Sequence, residues 1–173
     1  MRELIFTGPG KVEWHEVPAP ALDGPNQALM RPLAVATCDL DTILLRGRAQ
    51  IFGVGFPFGH ECIGRILEVS EDSGPFRPGD VVVTSFQINC GTCGRCRRGL
   101  TGNCERVHGT AMYGIGALGG SFGGALSDVL KIPYASGMLV KLSSELAPPD
   151  VASIADNIAD AKSIEQNILI VGR

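Results

Sequence analysis

No stretch of this chain stays apolar for long. Hydrophobic residues make up 45% of the 173 positions, yet runs such as Val81-Val82-Val83 are short. They fall far below the ~20 residues that a membrane span requires. Positive charge is not in excess either: 15 lysines and arginines face 18 acidic residues, for a net charge of −3 and a pI near 5.6. That balance gives no electrostatic case for nucleic acid or an anionic membrane surface. The opening MRELIFTGPGK places Glu3 early and breaks at Gly8-Pro9-Gly10, with no apolar segment of the kind that directs secretion. The expected setting is cytoplasmic and reducing, where clustered cysteines are more often metal ligands than disulfides.

Twenty-three glycines and eleven prolines point to turns and short strands rather than to a helical bundle. Strands are expected over 2–7 and 11–17, around the Gly-Pro-Gly turn, and in the run ending at Cys38. Further strands are expected through Ile66, Leu67 and Val69, after the PFRPGD turn, over 125–132 and over 138–142. Leu40, Ile43 and Leu44 recur at helical spacing and predict a short helix over 39–46. Helical character returns over 151–161, after Pro148-Pro149, and ILIV at 168–171 reads as a last apolar strand. Many short strands separated by turns predict a mainly β fold, a partly open barrel with one or two short helices.

Cys90, Cys93, Cys96 and Cys104 lie in INCGTCGRCRRGLTGNC at the spacing C-x2-C-x2-C-x7-C. Thiolates so spaced can wrap one tetrahedral zinc ion at about 2.3 Å per sulfur, and four of them leave no open position. The lobe over 88–106 is therefore expected to hold a structural zinc. Glycines between the cysteines permit the tight turns that such wrapping needs. The competing reading, two disulfides, conflicts with the reducing setting.

A second constellation, Gly59-His60-Glu61, follows a proline-containing turn and has Cys38 upstream. Together with GPGKVEWHEVPAP, GHECIG, RPGDVV, the four-cysteine loop and GGALSDVLKIP, it makes the sequence resemble the zinc-dependent medium-chain alcohol dehydrogenases in their GroES-like catalytic domain. The resemblance covers nearly the whole chain. It implies a second, catalytic zinc with Cys38 and His60 as ligands and one open position, as in the Cys₂His set of alcohol dehydrogenase. Only Cys62 is uncommitted as a second cysteine, and its apolar setting suits a small buried thiol better. Some relatives use a carboxylate instead, and Asp156 falls where their third ligand does.

By the same resemblance, Asp41 accepts the other imidazole N–H of His60, and Glu61 lies near enough to become an alternative ligand. Leu40 departs from the Ser or Thr through which many relatives pass the alcohol proton, and a leucine cannot relay one. Asp39 stands where some relatives place a base that meets cofactor phosphate. His15, alternating with Trp14 and Glu16, is expected to be exposed, and nothing singles out His108.

Gly114-Ile115-Gly116-Ala117-Leu118-Gly119 matches G-x-G-x-x-G. It lacks the preceding strand, following helix and later acidic residue of a dinucleotide site, so no cofactor-binding residue is expected here. The domain reading is 1–161 for the catalytic domain. Residues 162–173 read as a truncated start of a dinucleotide-binding domain or an artificial tail. NAD(P) is expected only in a complete enzyme, which by resemblance acts on a small-molecule alcohol or carbonyl compound. The chain alone is expected to bind zinc without turning over, with a homo-oligomer as one possible assembly. The alternative is a free-standing zinc-binding or assembly module, which would carry one zinc rather than two.

Overall fold

In the computed structural model, residues 1–156 are described. Strands β1 (Arg2–Gly8) and β2 (Lys11–Glu16) run antiparallel around the Gly-Pro-Gly turn, with Leu4 opposite Trp14. The two-residue strand β4 (Phe56–Pro57) lies on the other side of β1. Strands β3 (Ala28–Ala36), β5 (Glu61–Val69), β6 (Val81–Thr84), β7 (Leu130–Ile132) and β8 (Leu139–Lys141) make the second sheet. Its order is β7-β3-β5-β6-β8, all antiparallel, and neither sheet closes into a barrel. The fold is mainly β and partly open, with two short helices among the described residues, α1 (Asp39–Leu45) and α2 (Ala135–Met138).

Alternating strand residues supply the larger core. Met30, Ile66, Val82, Leu130 and Ile132 pack with the fully buried Tyr113, whose hydroxyl donates to the Lys131 carbonyl at 3.0 Å. A smaller cluster of Phe6, Leu44, Phe56 and Phe58 ties the three-stranded sheet to α1. Burying each such side chain stabilises the fold by roughly 1.5–3 kcal/mol relative to exposure.

Three expectations need correction. Over 125–132 only Leu130–Ile132 is strand, because the segment changes partners. Ala125 and Leu126 donate their N–H groups to Gly59 and Phe58, Leu126 accepts from Leu4, and only then does the chain reach β3. Over 138–142 the strand is Leu139–Lys141, preceded by α2. Past Pro148-Pro149 the expected helix is a 3-10 turn (Pro148–Val151) followed by further turns to 156. The rest of that helix, the strand at 168–171 and the tail at 162–173 lie outside the described residues.

Candidate functional site

The cysteine lobe is built from turns, with 3-10 helices at Cys96–Arg98 and Thr101–Asn103. It brings Cys90, Cys93, Cys96 and Cys104 together with all ligand atoms within 4.8 Å of one another. Cys90 Sγ and Cys96 Sγ are 4.0 Å apart, close to the ~3.8 Å edge of a zinc–thiolate tetrahedron with 2.3 Å bonds. All six cysteines of the chain are free thiols. Backbone N–H groups point at the sulfurs: Cys93 N–H donates to Cys90 Sγ, Cys96 N–H to Cys93 Sγ, and Cys90 N–H to Cys104 Sγ, each at 3.4 Å. Burial pushes the Cys90 thiol up, but bonds from the Thr92 N–H and hydroxyl and from Cys93 N–H outweigh it, leaving a pKa of about 6. Burial and the neighbouring sulfurs push Cys96 up to about 12. A thiophilic dication would displace thiol protons here. The donor set fits zinc.

Sheet register builds the second cluster. Ala36 at the end of β3 pairs with Glu61 at the start of β5, so Cys38, two residues on, and His60, one residue before, meet beside that end of the ladder. Cys38 is the N-cap of α1, and its N–H donates to Asp41 Oδ2 at 2.9 Å. The other Asp41 oxygen faces His60 Nδ1 at 3.5 Å, and both residues are buried. That distance is at the outer limit for a hydrogen bond, and neither atom has a well-angled partner among the described residues.

On the opposite edge of the ring, His60 Nε2 lies 3.4 Å from Cys38 Sγ and 3.2 Å from Asp156 Oδ2. Burial pushes the His60 pKa down, but the carboxylates of Asp41 and Asp156 outweigh it and hold it above the usual value. Burial raises the Cys38 thiol, opposed by bonds from the Asp41 and Leu40 backbone. Cys38, Asp41 and His60 each offer a ligand atom within 4.8 Å of the others. A ring nitrogen has one lone pair, however, and Asp41 approaches Nδ1 whereas Cys38 and Asp156 approach Nε2. Asp41 thus faces the ring from its Nδ1 side, and Cys38 and Asp156 face it from its Nε2 side. Glu61, fully buried, accepts the Asp156 backbone N–H at 2.7 Å.

Cys38, His60 and Asp156 floor a cleft of about 330 Å³ lined also by Asp39, Leu40, Phe86 and Met112. Phe86, whose ring centre lies 6.3 Å from that of His60 at a steep interplanar angle, and Met112 escaped sequence reasoning. Phe86 comes just after β6, and Met112 arrives through an isolated bridge to Gln87. Cys62 points away into the core, opposite Thr84 and Val35, where burial pushes its thiol up to about 12. His15 lies on the exposed β2, and His108 bonds Thr110 at 3.1 Å; neither lines the cleft. In GIGALG, Gly114 has φ +70° and packs so tightly that a Cβ would sit 2.3 Å from the Gly59 carbonyl oxygen. That glycine serves the turn before His60.

The alcohol dehydrogenase GroES-like domain family matches residues 24–144. Zinc-type alcohol dehydrogenase B of Aspergillus flavus is 30% identical over 156 residues, covering 90% of this chain and 35% of its own length. A glutathione-independent formaldehyde dehydrogenase of Pseudomonas aeruginosa is 32% identical over 155 residues, covering 84% of this chain and 38% of its own. Among solved structures, alcohol dehydrogenase TADH from Thermus sp. ATN1 superposes with a TM-score of 0.81 at 35% identity, over 90% of this chain and 44% of that one. The chain thus spans well under half the length of these relatives. With their fold, their motifs and their domain match, it belongs to the zinc-type alcohol dehydrogenase family and carries its GroES-like domain.

Proposed function

We propose that this domain binds two zinc ions and serves as the substrate-facing half of an alcohol dehydrogenase, whose complete form exchanges hydride between a small alcohol or carbonyl compound and NAD(P). The convergence of Cys38 Sγ and Asp156 Oδ2 on His60 Nε2 in an open cleft carries this reading. Cys90, Cys93, Cys96 and Cys104 would hold a structural ion; Cys38, His60 and Asp156 would hold a second ion with a position left for substrate. When bound there, zinc supplies Lewis acidity toward an alcohol or carbonyl oxygen.

The remaining roles belong to the chain itself. Asp41 orients the His60 ring from the Nδ1 side, selecting Nε2 as the ligating nitrogen. Phe86 and Leu40 line the cleft with apolar surface, which limits water around the reacting atoms. Leu40 cannot carry a proton outward, so the alcohol proton must leave by another path. Nicotinamide binding is assigned to the part of the relatives' length that this chain does not cover. Names among the relatives include a formaldehyde dehydrogenase and a D-altritol 5-dehydrogenase, which supports a small carbonyl or alcohol substrate.

Metal analysis tests the proposal. The unaltered chain should retain two zinc ions, and His60→Ala should retain one, in the cysteine lobe. A single zinc in the unaltered chain, with the lobe loaded, would favour a free-standing zinc-binding module instead.

A further inference from the structure

Two neighbouring side chains at the start of β5 grip one distant residue. His60 Nε2 lies 3.2 Å from the Asp156 carboxylate, while Glu61 Oε1 accepts the Asp156 backbone N–H at 2.7 Å. A carboxylate accepting an N–H makes a short, charge-assisted bond. Glu61 is wholly buried and stands in the ladder opposite Ala36, so its place is fixed by β3 and β5. Asp156 stands in no strand among the described residues. It follows a 3-10 turn whose backbone bonds are local, Asp150 N–H to Ala147 and Ile154 N–H to Val151.

We infer that Glu61 is a positioning residue: by holding the Asp156 N–H, it presents the Asp156 carboxylate to His60 Nε2 and sets the zinc affinity of the open site. This rests on the reading of Asp156 as a ligand given above.

A zinc-affinity cycle by chelator competition tests the link, using the unaltered chain, Glu61→Ala, Glu61→Gln, Asp156→Ala and the Glu61→Ala/Asp156→Ala double variant. Losing a partner behind a metal ligand costs about 10–100-fold in metal affinity. Glu61→Ala should therefore weaken the open site about tenfold or more while the cysteine lobe stays loaded. Glu61→Gln keeps an acceptor oxygen and should retain most of the affinity. Asp156→Ala removes the carboxylate but keeps the N–H, so adding Glu61→Ala to it should cost nothing further. An equal loss in both backgrounds, or no loss at all, overturns the inference.

If the unaltered chain takes up only one zinc, the ligand reading of Asp156 fails, and hydrogen exchange still reads the tie. The Asp156 amide should exchange slowly in the zinc-free chain and about tenfold faster in Glu61→Ala. Exchange as fast as an unbonded amide in the unaltered chain overturns the tie, whether or not Glu61→Ala folds.

Discussion

His60 Nδ1 and Asp41 Oδ1 face each other at 3.5 Å, both buried, while the second Asp41 oxygen caps the Cys38 N–H at 2.9 Å. One carboxylate thereby holds the start of α1 and faces the imidazole, the two places from which Cys38 and His60 reach the cleft. Leaving a buried N–H without its acceptor typically costs about 1–3 kcal/mol. Asp41→Ala strips the Cys38 N–H of its acceptor and should accordingly lower stability by about 1–3 kcal/mol in urea unfolding and empty the open site.

The same pair has a pH signature in the zinc-free chain. The folded pKa of His60 is raised above its ordinary 6.5, against the downward push of burial, by Asp41 and Asp156. A raised folded pKa adds stability that is fully present below the unfolded value and lost as pH rises through the folded one. Asp41→Asn keeps an acceptor for Cys38 but removes the charge. It should lower stability below about pH 6.5 more than above the folded pKa, a difference that unfolding curves at several pH values would read. A uniform loss at every pH would mean that the charge of Asp41 does not reach the ring.

In the cysteine lobe, Cys96→Ser should free the metal without melting the sheets. Structural zinc contributes ~10–16 kcal/mol of apparent binding free energy in small zinc peptides at neutral pH. In this lobe such energy would act locally, since the four cysteines pack with one another, Val107 and Tyr134. Hydrogen exchange should rise over 88–106 while β3 and β5 stay protected. Loss of protection in those strands would show that the lobe nucleates the whole fold.

Cys62 separates core thiols from ligands. Its side chain is fully buried among core residues, two positions past His60, and does not line the cleft. Cys62→Ala should cost about 1–2 kcal/mol, as for deletion of a buried methyl-sized group, and leave zinc content unchanged. Zinc loss in a folded Cys62→Ala protein would return Cys62 to the ligand set.

Much of this arrangement was legible in short-range patterns. The cysteine spacing names the lobe, and Gly59-His60-Glu61 lies where a loop feeds β5. Other features arise only from pairing across distance. Phe86 and Met112 reach the cleft through β6 and a single bridge, which no periodicity marks. Glu61 and Asp156 meet across 95 positions through a backbone N–H, a donor that every residue but proline carries. The 125–132 segment read as one strand because its residue types suit one, yet it divides its hydrogen bonds between two sheets.

GIGALG offers the sharpest contrast between motif and packing. If its glycines cradled a dinucleotide, Gly114→Ala would impair nucleotide binding and spare zinc. In the fold, Gly114 lies at φ +70°, and a Cβ there would sit 2.3 Å from the Gly59 carbonyl oxygen and 2.9 Å from its nitrogen. A left-handed backbone costs a side chain roughly 1–2 kcal/mol, and overpacking against backbone about 1–3 kcal/mol more. Gly59 would have to move, and it immediately precedes His60. Gly114→Ala should therefore lower the melting temperature and the zinc content of the open site together, with the cysteine lobe still loaded. Calorimetry with NAD⁺ and NADP⁺ on the zinc-loaded chain should show no saturable binding in either protein. Micromolar binding lost in Gly114→Ala, with both zincs retained, would restore the nucleotide reading of the motif.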